Sequence, residues 1–406
     1  ILAQARGPRT RAHFVPALSA AAMGEASAQG GAPPGRIVGV APSAEAGGDG
    51  LFAHGDIDEG EVLLVEDPIA RLEGEAYDKQ DTALLLEALG RLSARGELGS
   101  LVSSDAGRSL WRGPPSDTRR QAYRQCIDET WPEGDERSRA ERAEAMTIFS
   151  YNSYVSQDEG RLQVVFPTIS KANHACNPNT AVVAPEGASG QLVSHRRIAA
   201  GEEVTVSYLA RADLLLPVSQ RQSLLENGWE FRCGCLRCAA PADSARRFAC
   251  AQPGCLGGCC ALAQAAAPAG EAGARVAACD SCRAATPDEV EQLWMEQEEE
   301  VEGLIKGLPE SLYSAWAKCE DFAQAHPLHG LSGIWKRYIS RHTLSEIDEA
   351  GSAEEAADLR KEAALHWAAW QRCVDMAVDG KLPAASAQAV DVAADMAVAD
   401  AQARGR

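Results

Sequence analysis

Cys176 stands alone in a polar, turn-rich stretch, Asn173-His174-Ala175-Cys176-Asn177-Pro178-Asn179, and three further thiols, Cys233, Cys235 and Cys238, crowd together farther along. Three thiolates at that spacing fall one short of the tetrahedral set a structural zinc ion takes. Cys176 is the natural fourth ligand, so the pattern predicts one zinc ion on Cys176, Cys233, Cys235 and Cys238. Four thiolates leave no position open for water, so the metal is expected to act by geometry, tying a distant loop to a cysteine knuckle. The space between loop and knuckle is then a candidate active site.

A second set follows: Cys250 and Cys255, then Cys279 and Cys282, with Cys259 and Cys260 between them. Two close pairs read as a zinc ribbon on Cys250, Cys255, Cys279 and Cys282. The spacing leaves the choice among Cys255, Cys259 and Cys260 open. Few basic residues flank the ribbon, so it is not expected to bind nucleic acid. Cys126, Cys319 and Cys373 read as ordinary buried cysteines.

The elements that must position these thiols belong to a globular chain. It has 406 residues, 45% hydrophobic and 24% charged, enough for two or three domains. A net charge of −19 repels nucleic acid and acidic membranes and steers basic partners inward. Thirteen cysteines cannot all pair, and no apolar signal segment precedes them, so a reducing compartment, nucleus and/or cytoplasm, is expected. No apolar run is long enough to span a membrane. Residues 1–35 read as a disordered leader, with a weaker likeness to an organelle transit segment over 1–24.

Strands are expected at 36–40, 51–53, 61–65, 162–166, 180–183, 192–194 and 204–208. Residues 71–148 have a helical texture, with Leu84, Leu85, Leu86, Leu89 and Leu92 at helical spacing. They read as an insertion. A helix over about 217–227 leads into the knuckle, and the chain is helical from 287 onward. Trp294, Trp316, Phe322, Trp335, Trp367 and Trp370 are expected on the buried faces there.

Four segments together resemble a SET-domain protein lysine methyltransferase, most closely the SMYD-like group. They are Gly50-Leu51-Phe52-Ala53 with Asp56 to Glu61, then Ile148 to Tyr154 leading to Asn173–Asn179, then Gly201 to Tyr208, and last Trp229 to Cys238. The resemblance implies an α+β architecture. A SET β-fold (β-clip) over 36–240 is split by the helical insertion 71–148 and closed by a post-SET knuckle at 229–238. A zinc-ribbon-like segment at 241–286 and an all-α, TPR-like C-terminal lobe at 287–406 follow. Only Cys126 lies in the insertion, so the MYND finger usual in that group is not expected.

The resemblance also implies roles. Tyr208 would sit at the reaction centre, and Trp229 would line a lysine channel where the group usually has tyrosine. Asp49, Gly50, Leu51, Asn152, Asn173, His174, Tyr208 and Phe231 would contact S-adenosylmethionine, His174 largely through its backbone. Gly47 stands where the group has a basic residue and Asp49 where it often has asparagine, so an anchor for the cofactor's carboxylate is missing. The implied activity is methylation of a lysine-containing protein, a histone tail or another basic protein, with S-adenosylmethionine and zinc. The rival reading is a catalytically degenerate SET scaffold.

Overall fold

The computed structural model describes residues 37–43, 48–73, 82–113, 118–155, 162–183, 189–263, 278–308 and 312–378. The expected leader, Gly47 and the end of the helical lobe lie outside the described residues.

Short strands build several small sheets. β1 (Val38–Ser43) and β2 (Gly48–Ala53) pair antiparallel. β10 (Glu203–Val206) joins the free edge of β2, and β7 (Asn173–His174) adds to β10 in parallel, giving the order β1-β2-β10-β7. The register sets Thr205 opposite Asn173 and Val206 opposite His174. β3 (Val62–Glu66), β9 (Gly190–Ser194) and β8 (Thr180–Val183) form a second sheet in the order β3-β9-β8. β4 (Ala70–Glu73), β6 (Leu162–Val165) and β5 (Ser153–Val155) form a third, in the order β4-β6-β5.

Alternation explains the strands. In β9 and β10 every second residue is buried, the period of a strand with one face on a core. Those side chains close on Leu51, Ile57, Phe166, Ile169 and Ile198. Asn179 locks β10 into place. Its Oδ1 accepts from the Thr205 N–H at 2.8 Å and its Nδ2 donates to the Glu203 carbonyl at 2.8 Å.

The inserted helices are α1 (Thr82–Ala94), α2 (Glu97–Ser103), α3 (Asp105–Arg108), α4 (Arg119–Thr130) and α5 (Glu136–Asn152). Asp135 caps α5 by accepting from the Ser138 N–H at 3.0 Å, which satisfies one of the donors a helix start leaves open. Leu89, Leu92, Leu101, Ile127 and Ile148 share a core with Leu72 of β4 and Val165 of β6. The helices are thus fused to the third sheet. Residues 70–73, grouped by texture mostly with the insertion, are a strand because they pair with β6 across a long loop.

After β10 come α6 (Val218–Trp229), the short α7 (Leu236–Ala239) and a hairpin of β11 (Ala242–Ala249) with β12 (Cys259–Ala263). Among the described residues four α-helices follow: α8 (Asp288–Lys306), α9 (Leu312–Ala325), α10 (Gly330–Ser345) and α11 (Ala353–Ala377). Trp294, Phe322 and Trp335 pack with Phe248 of β11, so hairpin and lobe share one core. Trp367 and Trp370 of α11 join Leu214, Leu225 and Cys176, which seats the lobe on the knuckle. Trp316 differs from expectation: it is 41% exposed.

Candidate active site and metal centres

Cys176 follows β7, and Cys233, Cys235 and Cys238 follow α6. Their four sulfur atoms lie within 4.8 Å of one another, with Cys238 and Cys176 3.5 Å apart. A tetrahedron with Zn–S bonds of about 2.3 Å has sulfur–sulfur edges of roughly 3.8 Å, so the donor set fits zinc in chemistry and in size. A zinc ion on four thiolates is net negative, and two buried arginines face it. Arg221 Nη2 is 3.9 Å from Cys238 Sγ, while Arg237 donates to the Cys176 carbonyl at 3.0 Å and the Leu214 carbonyl at 2.6 Å. The cations offset that charge and hold the loop that carries Cys176.

Cys250, Cys255, Cys279 and Cys282 form the second cluster. Cys250 and Cys282 are 3.7 Å apart, as are Cys255 and Cys279. This resolves the ambiguity in favour of Cys255, while Cys259 and Cys260 lie in β12, opposite Ala249 and Phe248 of β11. Gly258 is required at the centre, because a Cβ there would lie 2.5 Å from Cys279 Sγ and 2.6 Å from Cys255 Sγ.

Beside the first cluster four rings converge. His174 and Tyr208 have centroids 5.4 Å apart, Tyr208 and Trp229 5.4 Å, Tyr208 and Phe231 6.3 Å, and His174 and Phe231 6.0 Å. The Tyr208 hydroxyl donates to the Ala172 carbonyl at 3.1 Å, and burial pushes it well above the usual phenol range. His174 is buried, and desolvation lowers it to about 4, so it is a neutral imidazole. Its Nδ1 accepts from the Tyr208 backbone N–H at 3.0 Å. The ring hydrogen therefore sits on Nε2, which points at Cys176 Sγ, 3.3 Å away. The side chain of His174 links metal ligand to tyrosine, a role that reading it as a backbone contact did not anticipate.

On β2, Gly50 lets Asn173 and Glu203 close in, because a Cβ there would meet Glu203 Oε1 at 2.4 Å. Asn173 Nδ2 donates to Glu203 Oε1 at 2.7 Å and to the Asp49 carbonyl at 3.1 Å. Leu51 points into the β core and is fully buried. Asn152 is buried on α5, with its carboxamide taken up by the Trp111 backbone: Oδ1 accepts at 3.2 Å and Nδ2 donates at 2.7 Å. The fold thus gathers Asp49, Gly50, Asn173, His174, Tyr208, Trp229 and Phe231 around β7 and β10. It sets Leu51 and the Asn152 side chain apart. Lys171, two residues before Asn173, escaped the sequence reading, and Glu203, inside the Gly201–Tyr208 motif, was given no role there.

Residues 48–209 match the family model of the SET domain, a stretch that holds β2, Asn173, His174, Cys176 and Tyr208. These residues are a SET domain. It is similar to proteins of the SMYD group. Histone-lysine N-methyltransferase SMYD3 of Mus musculus is 38% identical over 74 residues, 18% of this chain and 16% of its own. N-lysine methyltransferase SMYD2-B of Xenopus laevis is 33% identical over 91 residues, 22% of this chain and 20% of its own. The match spans a fifth or less of either relative's length. Among solved structures, Rubisco LSMT bound to AdoMet aligns over 84% of this chain and 85% of its own at 13% identity, with a TM-score of 0.35, too loose to carry an argument. The SET match ends one residue after Tyr208, so the last three ligands of the first zinc cluster, with Trp229 and Phe231, fold back onto the SET domain from outside it. Among the described residues no helix is long and apolar enough to cross a membrane.

Proposed function

We propose that this chain is an S-adenosylmethionine-dependent protein-lysine N-methyltransferase. The observation that carries the reading is the site of Tyr208: a tyrosine two residues past β10, hydroxyl on the Ala172 carbonyl, backbone fixed to His174, and a ring wall of Trp229 and Phe231. When bound, S-adenosylmethionine supplies a methyl group activated as a sulfonium. Asp49, Gly50, Asn173, His174 and Phe231 would hold it along β2 and β7.

A lysine amine must be neutral to accept a methyl group, yet with a pKa near 10.4 only roughly 0.04% is neutral at pH 7. The rings of Tyr208 and Trp229 supply a poorly solvated wall that lowers an amine's pKa. Tyr208 keeps its own proton at neutral pH, so it acts as an orienting group rather than as a base. Its hydroxyl oxygen and the Ala172 carbonyl align the amine through polar contacts, and that alignment is the main requirement of an in-line transfer. The zinc ion on Cys176, Cys233, Cys235 and Cys238 would hold Phe231 and Trp229 against Tyr208 without taking part in chemistry.

The substrate is a lysine-bearing protein, a histone tail or another basic segment drawn in by the net charge of −19. The same charge argues against nucleic acid as a partner. Two free-thiol clusters suit a reducing compartment, nucleus or cytoplasm.

One observation favours the scaffold reading: the Asn173 and Asn152 carboxamides already have partners within the protein. Calorimetric titration of the zinc-loaded protein with S-adenosylmethionine separates the two. The methyltransferase reading requires saturable one-site binding, and absence of any heat or displacement signal would leave only the scaffold.

A further inference from the structure

Around Asn173 most polar groups are already used. The Glu203 carboxylate accepts from Asn173 and from Ser43 Oγ, at 2.7 and 3.1 Å. Lys171 and Asp49 differ. Lys171 ends the 3-10 turn Ile169–Lys171, two residues before Asn173. Its Nζ donates to the Ser109 carbonyl and lies 3.7 Å from Asp49 Oδ2. A closed charge-assisted N–H···O bond measures about 2.7–2.9 Å, so this pair is near but open. The lysine side chain is 13% exposed and that of Asp49 57%, which puts a sheltered cation behind an accessible anion. The Asp49 carbonyl meanwhile accepts from Asn173, so the two charges stand beside the part of β2 where Gly50 lets Asn173 and Glu203 close in.

We propose that Lys171 and Asp49 form a charge clamp for the amino-acid end of S-adenosylmethionine. The Lys171 ammonium donates to the ligand's carboxylate, and the Asp49 carboxylate accepts from its ammonium. A zwitterion needs two adjacent and opposite charges, and an open ion pair presents both. This reading rests on the methyltransferase assignment. It also supplies the carboxylate anchor that Gly47 does not. Because Lys171 is held by Ser109, just after α3, the insertion fixes where the cation stands.

The test is titration with S-adenosylhomocysteine and with its decarboxylated analogue, which keeps the ammonium and lacks the carboxylate. The native protein should prefer the carboxylate-bearing ligand by about tenfold, the scale of one charged hydrogen bond. Lys171→Met should erase that preference by weakening S-adenosylhomocysteine alone, and the analogue's unchanged affinity would show that the pocket is intact. Lys171→Arg should keep the preference, and Asp49→Asn should weaken both ligands. Equal weakening of both ligands by Lys171→Met, or no change in either, would overturn the clamp. Binding of neither ligand by the native protein would instead overturn the methyltransferase assignment on which the clamp stands.

Discussion

The backbone N–H of Tyr208 donates to Nδ1 of His174 at 3.0 Å, and the other nitrogen of that ring faces Cys176 Sγ. Cys176 and Tyr208 are therefore linked by two hydrogen bonds through one neutral imidazole. Ring partners that orient metal ligands are typically worth 10- to 100-fold in affinity or activity. His174→Phe keeps the aromatic packing and removes both bonds. Methyl transfer should fall about 10- to 100-fold, with zinc content unchanged and zinc release to a chelator faster. Transfer at the native rate would show that the imidazole merely fills space.

Zinc content can also be lost from one cluster alone. Gly258→Ala places a methyl group between Cys255 and Cys279, with no flexible side-chain end to yield. Zinc stoichiometry, read by metal analysis of the folded protein, should drop from two ions to one. The first cluster lies on other elements, so S-adenosylmethionine binding should persist. Retention of both ions would mean that the ribbon loop relaxes.

The lobe and ribbon meet at Glu298, a buried carboxylate on α8. Burial alone would raise it, but His329 and Arg246 outweigh that and hold it at about 2, against an ordinary value of 4.5. A depressed carboxylate stabilises the fold above its unfolded value, and the contribution is lost as pH falls from about 4.5 towards about 2. Glu298→Gln should narrow the stability difference between neutral and acid pH relative to the native protein. Acid release of zinc affects both proteins alike and cancels in the comparison. Parallel curves of urea midpoint against pH would contradict the assignment.

Much of this site was legible before folding. Free thiols at metal spacing and the alternation of 204–208 are local signals, and they carried the first zinc site and β10. Strand β4 was hidden because its four residues form a strand only by pairing with β6. The ties from Trp111 to Asn152 and from Ser109 to Lys171 join residues 41 and 62 positions apart, beyond the reach of any periodicity. The ambiguity among Cys255, Cys259 and Cys260 was equally one of three dimensions, resolved by which thiols the fold brings together with Cys250, Cys279 and Cys282.

The insertion is fastened to the knuckle by Arg119. Its guanidinium lies 4.3 Å from the Tyr151 ring centre and donates to the Gly228 carbonyl at 2.7 Å and to Glu230 at 3.0 Å. Gly228 and Glu230 flank Trp229, so this contact positions the Trp229 ring. Arg119→Ala should cost about 1–2 kcal/mol in urea unfolding and raise the KM for a lysine substrate more than it lowers kcat. A reduced kcat at unchanged KM would place Arg119 in some other role.

Methyl transfer to lysine at Tyr208 has a direct readout. Zinc-loaded protein and its Tyr208→Phe variant would be incubated with methyl-deuterated S-adenosylmethionine and histones or a cell lysate, and deuterated methyl-lysine measured by mass spectrometry. Label on lysine with the native protein, and most of it lost in the variant while cofactor binding persists, is the predicted result. No labelled lysine from a folded, zinc-loaded, cofactor-binding protein would contradict it.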